Sequence, residues 1–102
     1  MRVLGIDVLE RAGARNAPLR KWLSGWLASA RSAEWRTFGD VKRDYPSADG
    51  VKLPNGRVVI VFNVKGNQCR LMVSVNYSEQ TANVREVLTH AEYSKNRWKS
   101  RH

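Results

Sequence analysis

The sequence predicts an α+β fold: an N-terminal strand and helices packed on one face of a small, mainly antiparallel β-sheet, closed by a short C-terminal helix. Three observations carry that prediction. Leu19, Trp22, Leu23, Trp26, Leu27 and Ala30 recur at helical spacing, which makes one apolar stripe. The run RVVIVFNV at residues 57–64 is β-branched and aromatic almost throughout. CRLMVSVNY at residues 69–77 alternates strictly between apolar and mixed positions. A chain of 102 residues suits one compact domain over residues 1–102, able to bury roughly 60–70% of its unfolded surface.

Taken in order, MRVLGI reads as a short first strand, with Val3 alternating against Arg2 and Leu4. A brief helical turn follows over residues 7–13. Asn16 is the expected N-cap of the main helix, and Pro18 lies in its first turn, where a missing N–H costs little. Arg20, Lys21, Ser24 and Arg31 lie outside the stripe, and Gly25 weakens the helix by up to about 1 kcal/mol relative to Ala. Residues 39–45 predict another short helix that stops before Pro46. SADGVKLPNG, residues 47–56, reads as turn. Residues 57–64 read as a strand buried on both faces at the centre of the sheet. KGNQ is a tight turn with Gly66 and Asn67 available for positive φ. In the next strand Cys69, Leu71, Val73, Val75 and Tyr77 face one way and Arg70, Met72, Ser74 and Asn76 the other. SEQTA connects to a third strand, NVREVL. The apolar face is expected to take the helical stripe. The opposite face, carrying Arg70, Ser74 and Asn76, is expected to stay wet, either as a floor for nucleic acid or as the ordinary solvent side of an antiparallel sheet.

Charge narrows the function classes. Eighteen Lys and Arg against nine Asp and Glu leave a net charge of +9, which attracts phosphate backbones, anionic surfaces or an acidic partner. Cys69 is the sole cysteine, so no intrachain disulfide forms and a reducing cytoplasm is the expected home. Asp7 and Glu10 interrupt the N-terminus where a signal peptide needs an apolar stretch, and no window approaches the roughly 20 apolar residues of a membrane span, so no membrane partner is expected. Nucleotide-loop motifs are absent, and the scattered His, Cys and carboxylates show no metal-ligand spacing. Cys69 on the apolar face reads as a core residue.

The tail THAEYSKNRW, residues 89–98, holds the remaining chemistry. Thr89 and Glu92 fit a capping box, which starts a helix at Thr89 and makes His90 its first residue and Tyr93 the i+3 neighbour. Imidazole titrates near neutrality and can move a proton; a phenol can donate a hydrogen bond or stack on a base; Lys95 and Arg97 can meet phosphate. Taken alone, His90 as a local capping residue and Tyr93 as a core aromatic is the simpler reading.

MRV, DVKRDYPSAD, RVVIVFNVKGNQCRLMVSVNY and THAEYSKNRW together, in order over almost the whole chain, resemble HigB toxins of the RelE/ParE-like superfamily of bacterial toxin–antitoxin systems. The resemblance implies a RelE-like fold and a metal-independent, cofactor-free mRNA endoribonuclease acting in the ribosomal A site. It implies as partners the messenger on the ribosome and a HigA-type helix-turn-helix antitoxin, with operator DNA reached only through the antitoxin complex. In such enzymes the RNA's own 2′-OH attacks the adjacent phosphate, which needs a base, cations for the growing charge, and an acid for the leaving oxygen. Lys65 and Arg70 are the expected charge stabilisers, His90 the acid or base, and Tyr93 an assistant in proton transfer or a stacking platform. Asn63, Asn67 and Asn76, with Lys95 and Arg97, are expected to hold RNA. His102 is terminal and expected to fray, so a two-histidine mechanism is not expected. Two other readings fit the charge: a binding-only RNA or ribosome module, and a gyrase inhibitor of the ParE branch.

Overall fold

The computed structural model describes residues 1–64 and 68–102. Lys65, Gly66 and Asn67, with the predicted turn they form, lie outside the described residues. The elements run β1 (Arg2–Leu4), α1 (Ile6–Gly13), α2 (Ala17–Ser32), α3 (Phe38–Asp44), β2 (Asp49–Lys52), β3 (Val58–Val64), β4 (Cys69–Asn76), β5 (Thr81–Thr89) and α4 (His90–Ser94), followed by a 3-10 turn at Arg97–Ser100. One five-stranded sheet is ordered β1-β5-β4-β3-β2. Neighbours from β2 to β5 are antiparallel, while β1 joins β5 in parallel. The predicted α+β class and its mainly antiparallel sheet are therefore present.

The caps follow the predicted local chemistry. The Asn16 side chain accepts from Leu19 N–H at 3.0 Å and starts α2, with Pro in its first turn. Thr37 and Asp40 form a capping box that starts α3 one residue earlier than expected. Between β1 and α1 the chain turns at Gly5 with φ +82°, where a Cβ would meet the Val84 carbonyl oxygen at 2.5 Å, so glycine is required there.

The inner face of the sheet takes the α2 stripe. Leu19, Leu23, Trp26 and Ala30 are buried against Ile60, Phe62, Val64, Leu71 and Val73, and Trp26 meets Phe62 edge-on with centroids 5.5 Å apart. Cys69, Val75 and Tyr77 pack partly buried on the same side, as the alternation in β4 predicts. β3 is buried on both faces, although β4, not β3, occupies the middle of the sheet.

Three further expectations need correction. SADGVKLPNG is not all turn, because β2 pairs with β3 from Asp49↔Val61 to Lys52↔Val58. Its single half-buried apolar residue, Val51, leaves no periodic signal, and a polar edge strand is drawn into place by the free edge of β3. The outer face is also not uniformly wet. Leu53, Val59, Val61, Met72, Leu88 and Trp98 form a second buried cluster there, with Val51 and Tyr93 packed against it. The chain end folds back and buries Trp98 completely. His102 is held rather than frayed: its Nε2 lies 2.6 Å from Glu86 Oε2, and Arg101 donates to both Glu86 oxygens at 2.9 and 3.1 Å. The open part of the outer face lies towards Ser74, Asn76, Asn83 and Arg85.

Candidate active site

Strand register gathers the site. Opposite residues of an antiparallel pair share a face, and Asn63, Arg70 and Leu88 stand opposite one another across β3, β4 and β5. The adjacent row on that face is Asp49, Val61, Met72 and Glu86. α4 leaves directly from the end of β5. Thr89 Oγ1 accepts from Glu92 N–H at 3.2 Å, Glu92 Oε1 accepts from Thr89 N–H at 3.0 Å, and His90 N–H donates to the Gln68 carbonyl at 3.1 Å. The predicted capping box is thus formed and aims the first turn of α4 at Arg70.

Arg70 is buried, at 9% exposure. Its Nη2 lies 3.3 Å from His90 Nδ1, its Nη1 donates to the Cys69 carbonyl at 3.2 Å, and its Cζ sits over the Tyr93 ring, 5.5 Å from the centroid. Tyr93 in turn stacks on Trp98 at 5.3 Å and 17°, and Trp98 Nε1–H donates to the Tyr93 carbonyl at 3.1 Å. A guanidinium only donates, so His90 Nδ1 is the acceptor in that contact, which assigns the proton of neutral imidazole to Nε2. Burial raises the Tyr93 phenol above its ordinary pKa, the negative charge of Asp49 adds to this, and Arg70 opposes it. The phenol is therefore a proton-bearing donor at neutral pH. Since Arg70 and Trp98 already lie against its ring, its hydroxyl is more available than its face.

Beside this group lies an open cavity of about 290 Å³ whose polar lining is Lys42, Ser47, Asp49, Asn63, Arg70 and Tyr93. Sequence reasoning missed Lys42, Ser47 and Asp49. DVKRDYPSAD, one of the stretches that carry the resemblance, contains these residues, yet an Asp before Gly reads as a turn signal, and only the β2–β3 pairing turns Asp49 towards the site. Lys42 Nζ donates to the Pro46 carbonyl at 2.9 Å.

The other expected residues are distributed unevenly. Asn63, Arg70, His90 and Tyr93 come together. Lys95 and Arg97 are exposed on the same tail but do not line the cavity. Lys65 and Asn67 lie outside the described residues. Asn76 is apart: it stands six residues along β4 from Arg70, roughly 20 Å away. Its Oδ1 accepts from Ser78 Oγ and Glu79 N–H at 2.9 and 3.0 Å. It helps to line a separate hollow of about 620 Å³ with Arg57, Ser74, Asn83 and Arg85. Among the described residues, no group of three or more His, Cys, Asp or Glu is placed to hold a metal ion, and no helix is long and apolar enough to cross a membrane.

Known proteins give this geometry a setting. The chain is 40% identical over 53 residues to the mRNA interferase toxin HigB of Escherichia coli K12. The same identity over the same length relates it to the mRNA interferase HigB of Escherichia coli O157:H7 and to that of Shigella flexneri. Each match covers 52% of this chain and 49% of the relative, so the chain spans about half the length of the curated relatives it matches. The model of the HigB toxin family, described as the RelE-like toxic component of a toxin–antitoxin system, matches residues 19–96. That stretch runs from α2 through the sheet to Arg70, His90 and Tyr93, and the chain belongs to the HigB family of RelE-like toxins.

Proposed function

We propose that residues 1–102 act as one toxin domain that cuts messenger RNA on the ribosome without a metal. The observation that carries this reading is the buried Arg70 held between His90 and Tyr93 at the rim of a polar cavity. In the proposed reaction the RNA 2′-OH attacks the adjacent phosphorus and the bond to the 5′-oxygen breaks, leaving a 2′,3′-cyclic phosphate and a 5′-OH. Arg70 stabilises the charge gathering on the equatorial phosphate oxygens, with Lys65 as a second cation. As held, His90 presents Nε2–H and its basic Nδ1 is engaged by Arg70. An arriving phosphate draws the guanidinium onto itself and frees Nδ1 to accept the 2′-OH proton. Tyr93, kept protonated, donates towards the leaving oxygen. Asn63 and Asn67 position the strand, and Lys95 and Arg97 hold flanking phosphates. Asn76 touches RNA only beyond the reacting nucleotide, given its distance.

The partner that fits this reading is a helix-turn-helix antitoxin of HigA type, through which operator DNA is bound, and the setting is the cytoplasm. Expression is expected to arrest growth and create new transcript 5′ ends, while His90→Ala, Lys65→Ala and Arg70→Ala relieve both by on the order of 10²-fold or more. If all three variants stay fully toxic, the site is misplaced. Arrest with salt-sensitive RNA binding but unchanged 5′ ends would favour a binding-only module, and inhibition of gyrase supercoiling by purified protein would favour the ParE branch.

A further inference from the structure

Asp49 is out of place in a phosphate site. The protein carries a net charge of +9, and its cavity is expected to meet a polyanion, which a carboxylate repels. The contrast with Glu86, at the other end of the same cross-strand row, sharpens the point. Glu86 is matched by Arg101 and His102, whereas among the described residues no ion pair or side-chain hydrogen bond holds the Asp49 carboxylate, whose backbone is paired with β3. Of the two cations lining the cavity, Arg70 is turned towards the Cys69 carbonyl, His90 and the Tyr93 ring, and Lys42 donates to the Pro46 carbonyl. Asp49 is exposed and lies on an edge strand, so it is not retained for packing. A carboxylate facing a cavity accepts hydrogen bonds from whatever displaces its water, and in RNA the N–H donors belong to the bases.

Resting on the nuclease reading, we propose that Asp49 reads one nucleobase of the bound message and favours guanine in the cavity beside Arg70 and Tyr93. Guanine presents two adjacent donors, N1–H and the N2 amine, which match the two oxygens of a carboxylate. Adenine and cytosine present an amine next to a ring nitrogen lone pair, which repels the second oxygen, and uracil offers a lone N–H between two carbonyls. The guanine O6 faces a donor from Asn63 or Lys42, both of which line the cavity. At about 290 Å³ the cavity falls just below the usual span of ligand sites, about 300–1,000 Å³, and so suits one base rather than a longer stretch. Asp49 is a specificity residue here. It takes no part in moving the proton.

The test is transcript 5′-end mapping after induction of the full chain, its D49N variant and its D49A variant, with thermal melts to confirm that each folds. The readout is base composition at each position relative to the cut, taken over whatever cuts remain. The wild type is expected to show guanine at one fixed position. D49N, whose amide offers one acceptor and one donor, is expected to move that position towards adenine or cytosine, changing the guanine preference on the order of tenfold. D49A flattens it. A wild-type profile with no fixed guanine overturns the inference, as does a profile that D49N and D49A leave unchanged, and neither result touches the nuclease reading. Growth arrest without any new 5′ ends sinks the nuclease reading and the inference together.

Discussion

At the residue scale, Tyr93 separates packing from chemistry. Its ring packs against Trp98 and Arg70, and the residue also lines the cavity. Tyr93→Phe keeps the ring contacts, so the variant is expected to fold normally and to cut RNA on the order of 10²-fold more slowly if the phenol moves a proton. An unchanged single-turnover rate would remove Tyr93 from the chemistry. The same side chain leaves a mark on stability. Burial raises the pKa of both Tyr93 and Tyr77 in the folded chain, so on alkalinisation the unfolded chain releases those protons first. The contribution is fully present below about pH 10 and is lost as pH rises through the folded values. Melting temperatures measured from pH 8 to 11 are expected to fall at the alkaline end, and to fall less in Tyr93→Phe than in the wild type.

At the element scale, α4 is too short to be stable by itself. Five residues lie far below the roughly 12–15 that a marginal isolated helix needs. It exists because Thr89 and Glu92 cap it, Gln68 anchors its first N–H, and Trp98 closes over its end. The Thr89–Glu92 spacing made its start readable in the sequence, as Asn16 did for α2. β2 was unreadable for the opposite reason, since its residues carry no periodic burial and it forms only as the partner of β3. Thr89 hydrogen bonds hold the Glu92 carboxyl below its ordinary pKa. This contribution is present above about pH 4.5 and lost as pH falls through the lower folded value. Thr89→Ala is expected to cost about 1 kcal/mol, concentrated in α4. Hydrogen exchange at residues 91–94 should speed up before the rest of the chain does, and RNA cleavage should drop with it. Uniform acceleration across the sheet would show that the cap supports the whole fold instead.

At the scale of the whole molecule, the sheet serves two cores. Residues 19–30 and the alternation of β4 made the inner one readable, down to which side of the strand Cys69, Leu71 and Val73 face. The outer one was hidden because Val59, Val61, Met72 and Leu88 come from three strands and are closed by one distant tryptophan; no local window contains that arrangement. Its consequence is that the tail belongs to the fold as well as to the site. Trp98 is fully buried, supports the Tyr93 ring and lies under Lys99 at 5.8 Å. Trp98→Ala should therefore cost about 3–5 kcal/mol, the usual range for emptying a buried aromatic site, and lower the melting temperature together with cleavage. Trp98→Phe keeps the apolar fill and a stacking ring but loses the bond from Nε1–H to the Tyr93 carbonyl, a loss of about 1 kcal/mol. Activity recovering in Trp98→Phe alongside stability would tie the site to the outer core. A Trp98→Ala protein that melts like the wild type would mean that the tail merely rests on the sheet, and that Tyr93 and Arg70 are held in place by α4 alone.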